Sequence, residues 1–362
     1  MNTLINILPW QPGYSGFSSY VRRILPGIQG CRLQLACSSK AVCLPNFSVQ
    51  SLPDQFPSQP LLRLLHRYSL SQYGVNVKAA LWDASFEPDR VYSPYCNWLN
   101  GFAGFPQLIT CHDLTPLYVP NSRRAWLHYR LLMPHHLQSA SSVIAISGFV
   151  ANQLIQLGIP SKKIEVVTNG IAIERPAITK PASADLLMLA RHDGNKNVAY
   201  VLEAFANLLK RFPNWPGLLR VVGKPGRQTP HLNELRSAMA VPQQVHFISE
   251  ASAEQLTLWL RSSLALISAS LMEGFDYPVL EAKAEGLPTL ISAIPVHNEL
   301  HDCSSLFFSL SDAGVELQNQ LITLHTDPQL WSQLSQLGYA RAQQLSLVSQ
   351  QQQVQALIQA LR

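Results

Sequence analysis

The chain has 362 residues, of which 47% are hydrophobic and 14% are charged, and its formal net charge is +5. This length predicts two domains with a core that needs no disulfide or metal to hold it, and the composition excludes a largely disordered chain. No apolar run approaches the ~18 residues of a membrane-spanning helix.

The charge is unevenly divided along the chain. Up to residue 180 there are 15 Lys and Arg against 7 Asp and Glu, whereas from residue 181 onward there are 12 against 15. We therefore expect a basic N-terminal domain and a mildly acidic C-terminal domain with different ligands. Nucleic acid is not an expected partner, because the chain has no basic stripe with interleaved aromatic residues and no known nucleic-acid module. A random surface bias, an anionic membrane and a phosphate-bearing substrate all fit.

The first predicted element is a strand at residues 4–8. The opening residues have no basic segment and no small-residue cleavage site, which indicates a strand rather than a signal peptide. Further strands are predicted at 143–147 and 164–167, and a helix at 148–155 follows the first of them. The six cysteines have no Cys-x-x-Cys or His-paired spacing, so we expect reduced thiols in a cytoplasmic protein and no zinc site.

A stretch rich in Pro, Ser and Ala at 174–184 predicts a linker, after which the alternation of strands and helices begins again. In this second half, strands are predicted at 186–190, 218–223, 245–248, 264–268 and 289–292, and helices at 197–212 and 253–261. Because apolar strands alternate with helices, the sequence predicts an α/β chain with two Rossmann-like, doubly wound parallel-sheet domains facing across a cleft. A last helix with an apolar stripe is predicted at 344–361.

The segment from Ser270 to Gly286 carries the strongest chemical signal. It follows a predicted strand, at the edge where parallel sheets bind ligands. Asp276 is suited to cap the next helix and Gly286 to end it, so the helix N-terminus suits a diphosphate. Glu273 lies in the loop and Glu281 about one turn into the helix. Each carboxylate can accept hydrogen bonds from the vicinal hydroxyls of a sugar or a ribose.

The spacing Glu273-x7-Glu281, within Glu-Gly-Phe-Asp-Tyr-Pro-Val-Leu-Glu-Ala, resembles the signature of the retaining family 4 glycosyltransferases of GT-B fold. The resemblance covers most of the chain. Three other segments resemble loops of that family: a Gly-rich loop at 9–20, a histidine loop at 110–116 and a phosphate-binding loop at 189–197.

The resemblance implies an acceptor-binding domain over 1–175, a nucleotide-sugar-binding domain over 183–342, and a C-terminal helix over 343–362 that crosses back to the N-terminal domain. It implies retention of configuration and catalysis by His112, Asp113 and Glu273, without a metal or other cofactor, because the nucleotide sugar is a substrate. It implies donor binding by the following residues: Gly13, Gly16, Arg191, Lys196, Gly274, Phe275, Asp276, Tyr277 and Glu281.

Three positions depart from the family pattern. Asp276 stands where Gly is more common, Ala190 stands where Gly usually precedes the Arg, and the first loop lacks adjacent glycines. The carboxylate of Asp276 would either take part in the diphosphate and sugar site or cap the helix. A lone histidine such as His112 also suits a structural role, and Asp113 suits either orienting His112 or supporting its loop.

Other functions have weaker support. Gly13-x-x-Gly16 lacks the full glycine fingerprint, so a nicotinamide cofactor is not expected. Glu87-Pro88-Asp89 comes just before a predicted strand, at its N-terminal edge, and is interpreted as a turn, so no metal site is predicted. Two alternatives stay open: a non-catalytic protein that binds a nucleotide sugar or scaffolds a partner, and a nucleotide-sugar epimerase.

Basic and aromatic residues occur together in three parts of the N-terminal half: Arg22 and Arg23; Arg63, His66, Arg67 and Tyr68; and Arg123, Arg124, Trp126, His128, Tyr129 and Arg130. These residues suit solvated helix faces, and they equally suit contact with a lipid-diphosphate acceptor or an anionic membrane.

By resemblance, the expected donor is GDP-mannose or another nucleoside-diphosphate hexose. The expected acceptor is a lipid-diphosphate-linked or oligosaccharide chain of O-antigen or capsule synthesis. The expected place of action is the cytoplasm or the inner face of the cytoplasmic membrane.

Overall fold

The alternation of apolar runs and helices folds into two parallel sheets in the computed structural model, which describes residues 2–7, 16–29, 32–38, 48–52, 88–99 and 102–362. The chain divides into two compact units. The N-terminal unit comprises residues 1–117, 122–169 and 347–362, and the C-terminal unit comprises 118–121 and 170–346. Gly13 and the basic set Arg63, His66, Arg67 and Tyr68 lie outside the described residues.

The N-terminal unit has a seven-stranded sheet in the order β3-β2-β1-β4-β5-β6-β7, and each neighbouring pair is parallel. The strand order reverses at β1, which lies between β2 and β4, and such a switch point is where an open α/β sheet has a crevice for a ligand. The strands are β1 Asn2–Asn6, β2 Arg32–Ser38, β3 Ser48–Leu52, β4 Arg90–Ser93, β5 Gln107–Cys111, β6 Ser142–Ala145 and β7 Ile164–Val166.

Helices connect these strands. Two begin at a serine whose hydroxyl accepts a hydrogen bond from a backbone N–H of the first turn, at Ser122 and Ser147. The helices of the first half of the chain are α1 Gly16–Ile24, α2 Thr115–Tyr118, α3 Arg123–Leu131, α4 Met133–Ser139 and α5 Gly148–Gln156.

The C-terminal unit has a six-stranded parallel sheet in the order β10-β9-β8-β11-β12-β13. Its strands are β8 Leu186–Leu189, β9 Leu219–Val222, β10 Val245–Ile248, β11 Ala265–Ser268, β12 Thr289–Ser292 and β13 Leu306–Phe308. Each strand predicted in this half forms within one residue of its expected bounds. This agreement follows from the continuous apolar runs of strands that are covered on both faces.

The helices of the second half are α6 Val198–Arg211, α7 Thr229–Ser237, α8 Ala253–Ser262, α9 Tyr277–Ala284, α10 Pro295–His301, α11 Val315–Thr326, α12 Pro328–Gln344 and α13 Leu347–Ala360. The apolar face of α6 is buried in the core, including Val201, Leu202, Phe205 and Leu208. Each such side chain stabilises the unit by about 1.5–3 kcal/mol.

The C-terminal helix α13 belongs to the N-terminal unit, as the fold prediction requires. It packs against α1, where the side chain of Gln351 donates to the Arg23 carbonyl over 2.6 Å. Gly27 makes this approach possible, because a Cβ atom there would come within 2.4 Å of Gln351. At the end of α13, the guanidinium of Arg90 donates to the carbonyls of Ile358 and Gln359, which have no acceptor role inside the helix.

Candidate functional site

The loop that leads into α9 brings most of the predicted donor-binding residues to the carboxyl end of β11. The helix ends as predicted: Gly286 follows the last turn with a φ of +80°, a conformation that glycine adopts without strain. Asp276 stands at the N-cap position, but it has a φ of +74° and its side chain makes no capping hydrogen bond. Asp276 therefore has the predicted N-cap position, but the prediction that its carboxylate caps α9 is wrong, because the carboxylate bonds to other side chains.

The side chain of Lys196 lies between two carboxylates. Its Nζ atom is 2.7 Å from Oε1 of Glu273 and 3.4 Å from Oδ1 of Asp276. Lys196 comes from the loop after β8, and the same loop is fixed to the α9 loop by Asn195, whose amide donates to the Met272 carbonyl over 2.8 Å. We call Lys196, Glu273 and Asp276 the carboxylate–lysine cluster.

The three charges control one another's protonation. Burial alone would lower the pKa of Lys196, but Asp276 and Glu273 together outweigh it and raise the pKa. Burial would likewise raise the pKa of Asp276, yet Lys196, His297 and Ser268 hold it well below its ordinary value. Burial raises the pKa of Glu273, and the charge of Asp276 adds to this while Lys196 opposes it. Lys196 is thus a fixed cation with two anionic neighbours.

The other predicted donor-binding residues of the C-terminal unit lie in three different environments. Phe275 and Tyr277 are buried, with ring centroids 5.2 Å apart, and Gly274 before them is buried as well. Arg191 is separate from the cluster: its side chain is 61% exposed and its guanidinium pairs with Asp193. Glu281, the fifth residue of α9, is half-buried.

In the N-terminal unit, His112 directly follows β5, at the carboxyl end of the sheet. Its Nε2 atom is 2.7 Å from the Pro94 carbonyl oxygen, which can only accept, so Nε2 carries a hydrogen. The ring meets Tyr20 and Phe17 of α1 edge-on, with centroids 4.6 and 5.9 Å away. Burial lowers the pKa of His112 to about 4, although the bond to Pro94 opposes the shift. His112 is therefore a neutral imidazole whose Nδ1 atom is a hydrogen-bond acceptor.

Asp113 supports the loop. Its Oδ1 atom accepts a hydrogen bond from the backbone N–H of Thr115 over 3.0 Å, at the start of α2. Of the two roles considered for Asp113, this contact favours the supporting one. Gly16 begins α1, and a Cβ atom there would meet nothing within 4 Å, so close packing does not require glycine at this position.

The buried histidines make the stability of the protein dependent on pH. Burial also lowers the pKa of His136 to about 4. Between about pH 6.5 and about pH 4 the unfolded chain binds a proton at each of these histidines that the folded chain does not, so the free energy of unfolding decreases as the pH is lowered. We expect a loss of up to about 2 kcal/mol per histidine between about pH 7.5 and about pH 5. Urea denaturation at both pH values should show a smaller loss for His136→Gln than for the parent chain, and an equal loss would contradict the assignment.

Sequence reasoning missed two polar side chains that bond to Asp276, and the residue behind one of them. Its Oδ2 atom lies 2.5 Å from the hydroxyl of Ser268 and 3.2 Å from Nε2 of His297, and the Ser292 carbonyl lies behind that histidine. Ser268 ends β11, and Ser292 ends β12. His297 follows at the start of α10. Their position at the carboxyl end of the sheet was the available signal, the same one that singled out His112.

Two family models match consecutive parts of the chain. "Glycosyltransferase Family 4" matches residues 29–175, and "Glycosyl transferases group 1" matches residues 172–302, which contain the carboxylate–lysine cluster. The chain belongs to the family 4, group 1 glycosyltransferases. Both the family and the GT-B fold expected from the Glu273-x7-Glu281 spacing are confirmed.

Curated relatives of this glycosyltransferase chain include the O-antigen chain mannosyltransferase RfbU of Salmonella typhimurium, 25% identical over 57% of this chain and 57% of that protein. The GDP-mannose:cellobiosyl-diphosphopolyprenol alpha-mannosyltransferase of Xanthomonas oryzae pv. oryzae is 26% identical over 62% of this chain and 60% of that protein. The matched segments thus span less than two thirds of either relative.

The fold has a solved counterpart over its whole length. The crystal structure of Anabaena Alr3699/HepE in complex with UDP-glucose covers 100% of both chains with a TM-score of 0.77 and 19% sequence identity. At this identity the likeness concerns the fold.

Within the described part of the glycosyltransferase chain, no helix combines the length and apolarity needed to cross a membrane, and no group of acidic, His or Cys residues has the arrangement of a metal site.

Proposed function

We propose that the protein is a retaining glycosyltransferase that moves a hexose from a nucleotide-sugar donor to a lipid-linked or saccharide acceptor during bacterial surface polysaccharide synthesis. The carboxylate–lysine cluster beside the N-terminus of α9 carries this proposal. It places a fixed cation, a helix dipole and a hydroxyl-binding carboxylate at one sheet edge, within residues matched by a glycosyltransferase family model.

Each group has a proposed role in the donor site. The N-terminus of α9, with Lys196 and Arg191, binds the diphosphate and stabilises the charge that develops on it as it leaves. Glu281 accepts hydrogen bonds from the ribose hydroxyls, and Glu273 accepts them from the donor sugar. The transition state of such a transfer has oxocarbenium character. The acceptor attacks the face from which the diphosphate leaves, and the diphosphate assists by taking up the acceptor proton.

We assign His112 a role in binding the transferred sugar. A neutral ring with Nε2–H held by Pro94 presents Nδ1 as an acceptor, which suits a sugar hydroxyl and does not suit a phosphate oxygen. Tyr20 and Phe17 hold the ring plane by their edge contacts. In this role His112 binds the sugar by hydrogen bonding in a fixed orientation, without carrying a charge.

For the donor we propose GDP-mannose. The relatives named above are a mannosyltransferase of O-antigen chains and an enzyme whose name specifies GDP-mannose and a diphosphopolyprenol-linked acceptor. The structural counterpart was solved with UDP-glucose, so uridine nucleotides are the first competitors to test. For an acceptor of this kind, we propose that the protein acts in the cytoplasm, at the inner face of the membrane that holds the lipid-linked acceptor.

A panel of nucleotide sugars tests the function directly. At a hundredfold excess over its Kd the correct donor should stabilise the folded chain by about 2.7 kcal/mol, which thermal unfolding detects. We expect GDP-mannose to do so, and UDP-, ADP- and dTDP-sugars to do so less. Transfer to a diphosphopolyprenol-linked sugar should follow. Stabilisation by none of the panel would contradict the proposal. Binding without transfer or hydrolysis would favour a non-catalytic protein, and interconversion of free nucleotide sugars would favour an epimerase.

Helix α3 offers a surface for the lipid side of this reaction. Arg123, Trp126, Leu127, Arg130 and Leu131 repeat at helical spacing on one face, and all five are exposed, Leu131 to 66%. No residue of α3 is buried. Basic and apolar side chains on one exposed face suit binding to the headgroup region of an anionic membrane. Each Arg there contributes about 1 kcal/mol to the free energy of membrane binding.

We expect the protein to float with vesicles that contain anionic lipid at low salt, and to remain unbound with purely zwitterionic vesicles. Replacing Trp126, Leu127 and Leu131 together by Ser should abolish flotation because the apolar anchors are lost. Leu258→Ser, at an exposed leucine of the C-terminal unit, is the matched control. Absence of binding to anionic vesicles at low salt would remove the membrane from the proposal.

A further inference from the structure

A buried histidine lies behind the carboxylate–lysine cluster, where its ring bonds to Asp276 and to Ser292. His297 lies on α10 and its side chain is 0% exposed. Its Nδ1 atom is 2.8 Å from the Ser292 carbonyl oxygen, and its Nε2 atom is 3.2 Å from Oδ2 of Asp276. Neither the sequence motifs nor the roles proposed above use this residue.

The two contacts define the hydrogens of the ring. A carbonyl oxygen can only accept, so Nδ1 carries a hydrogen. The second contact joins Nε2 to a carboxylate oxygen, which also accepts when it is ionised. Asp276 is ionised because Lys196, 3.4 Å from its Oδ1 atom, and the hydroxyl of Ser268 lower its pKa despite burial. A hydrogen on Nε2 therefore completes the contact, and the ring with both hydrogens is an imidazolium.

The other titratable and charged groups near the His297 ring do not change the conclusion that both of its nitrogens carry a hydrogen. His301, on the same helix, has its ring centroid 6.3 Å away, and burial, then Lys283 and His297, lower its pKa well below the ordinary value, so it adds no charge. Burial, with Arg341, lowers the pKa of Lys283, and its amine donates to the Ser304 carbonyl over 2.8 Å. Arg341 donates to the Leu300 carbonyl over 2.7 Å.

Asp276 itself is too deeply buried to meet a donor, since only 1% of its side chain is exposed, against 23% for Lys196. Its Oδ2 atom is taken by Ser268 and His297, and its Oδ1 atom faces Lys196. The carboxylate thus acts on a ligand through Lys196, whose four side-chain torsions would otherwise leave the ammonium mobile.

We propose that His297 is a positioning residue for the diphosphate of the donor: as an imidazolium it cancels the charge of Asp276 and fixes the carboxylate that holds Lys196. This rests on the proposed function, and it names the residue that sets the charge of the same site. With His297 protonated, Lys196, Glu273, Asp276 and His297 are neutral as a group. Without that proton the group has one net negative charge, which repels a diphosphate.

Charge restoration tests the proposal. GDP and UDP binding are measured by calorimetry for the parent chain and three variants. We expect His297→Gln to bind about tenfold more weakly, the effect of one unit charge about 10 Å away at an effective dielectric constant near 20. The double variant His297→Gln with Asp276→Asn removes both charges, so it should bind more tightly than His297→Gln alone. His301→Gln, a buried histidine on the same helix that does not touch Asp276, is the matched control and should bind like the parent.

The outcomes separate the two proposals. Parent-like binding by His297→Gln, or no recovery in the double variant, overturns the role of His297. If all three variants bind weakly, each in proportion to its loss of thermal stability, the role of His297 is also overturned. Such a pattern is expected of residues that only stabilise the fold. A parent chain that binds neither GDP nor UDP contradicts the proposed function instead.

A measurement on the unaltered chain covers the case in which His297→Gln does not fold. With ¹⁵N-labelled histidine, the ring nitrogen spectrum at the pH of the binding assay should contain an imidazolium with both nitrogens protonated, and this signal should be absent from the Asp276→Asn variant. A parent spectrum that contains only neutral buried rings overturns the proposal.

Discussion

Lys196→Met should lower the rate of sugar transfer on the order of 10³-fold, the effect of removing a fixed positive group from a site of developing negative charge. Methionine has nearly the same volume as the lysine side chain, so packing is kept and the charge is lost. The same change leaves Glu273 and Asp276 facing each other without their shared cation. We therefore also expect the free energy of unfolding to fall by roughly 3 kcal/mol.

The stability loss of Lys196→Met should depend on pH. Without Lys196 the pKa of Glu273, already raised by burial and by Asp276, rises further in the folded state. Above the ordinary pKa of a glutamate the unfolded chain releases a proton that the folded chain keeps, so rising pH favours unfolding. Urea denaturation should show a larger difference from the parent at about pH 7.5 than at about pH 5. Lys210→Met, at an exposed position of α6, is the control and should change neither rate nor stability.

Glu281→Ala should weaken donor binding on the order of 10²-fold, because a carboxylate that accepts hydrogen bonds from both ribose hydroxyls contributes about 1.5–3 kcal/mol per bond. The effect should appear in the Kd of the nucleotide sugar and of the free nucleoside diphosphate alike, since both contain the ribose. The rate at saturating donor should change less, because the ribose is remote from the reacting bond.

Glu285→Ala is the matched control for Glu281, one turn further along the chain. Glu285 pairs with Arg175 over 3.1 Å and with Arg261 over 2.6 Å, so its loss should reduce stability and leave the donor Kd unchanged. Unchanged donor binding in Glu281→Ala would end the proposed ribose role. Equal weakening in both variants would indicate a general effect on α9.

The fold was largely predictable because parallel strands covered on both faces must be continuous apolar runs. The strand at 289–292 and the end of α9 at Gly286 follow from such local rules. The predicted place of the site at the carboxyl ends of the strands follows from topology, and the structure brings Lys196 and Glu273 together there.

The chemistry around Asp276 was less predictable, because it depends on residues distant in the sequence. Local rules assign an aspartate before a helix to a cap. The positive φ of Asp276, together with Ser268 and His297, turns the carboxylate away from the helix N-terminus. Arg191 was expected beside Lys196 on the diphosphate, yet its neighbour Asp193 lies close enough to pair with it. Such side-chain pairings have no periodic signal in a sequence.

The position of α13 has a consequence for the order in which the protein can fold during synthesis. Residues 170–346 leave the ribosome before α13. This helix covers α1, and a carbonyl at its end accepts a hydrogen bond from Arg90. The C-terminal unit can therefore complete its core while the N-terminal unit still exposes the surface that α13 will cover. For as long as translation continues, the first part of the chain to be made is the last to be finished, and it is the part that needs protection from aggregation.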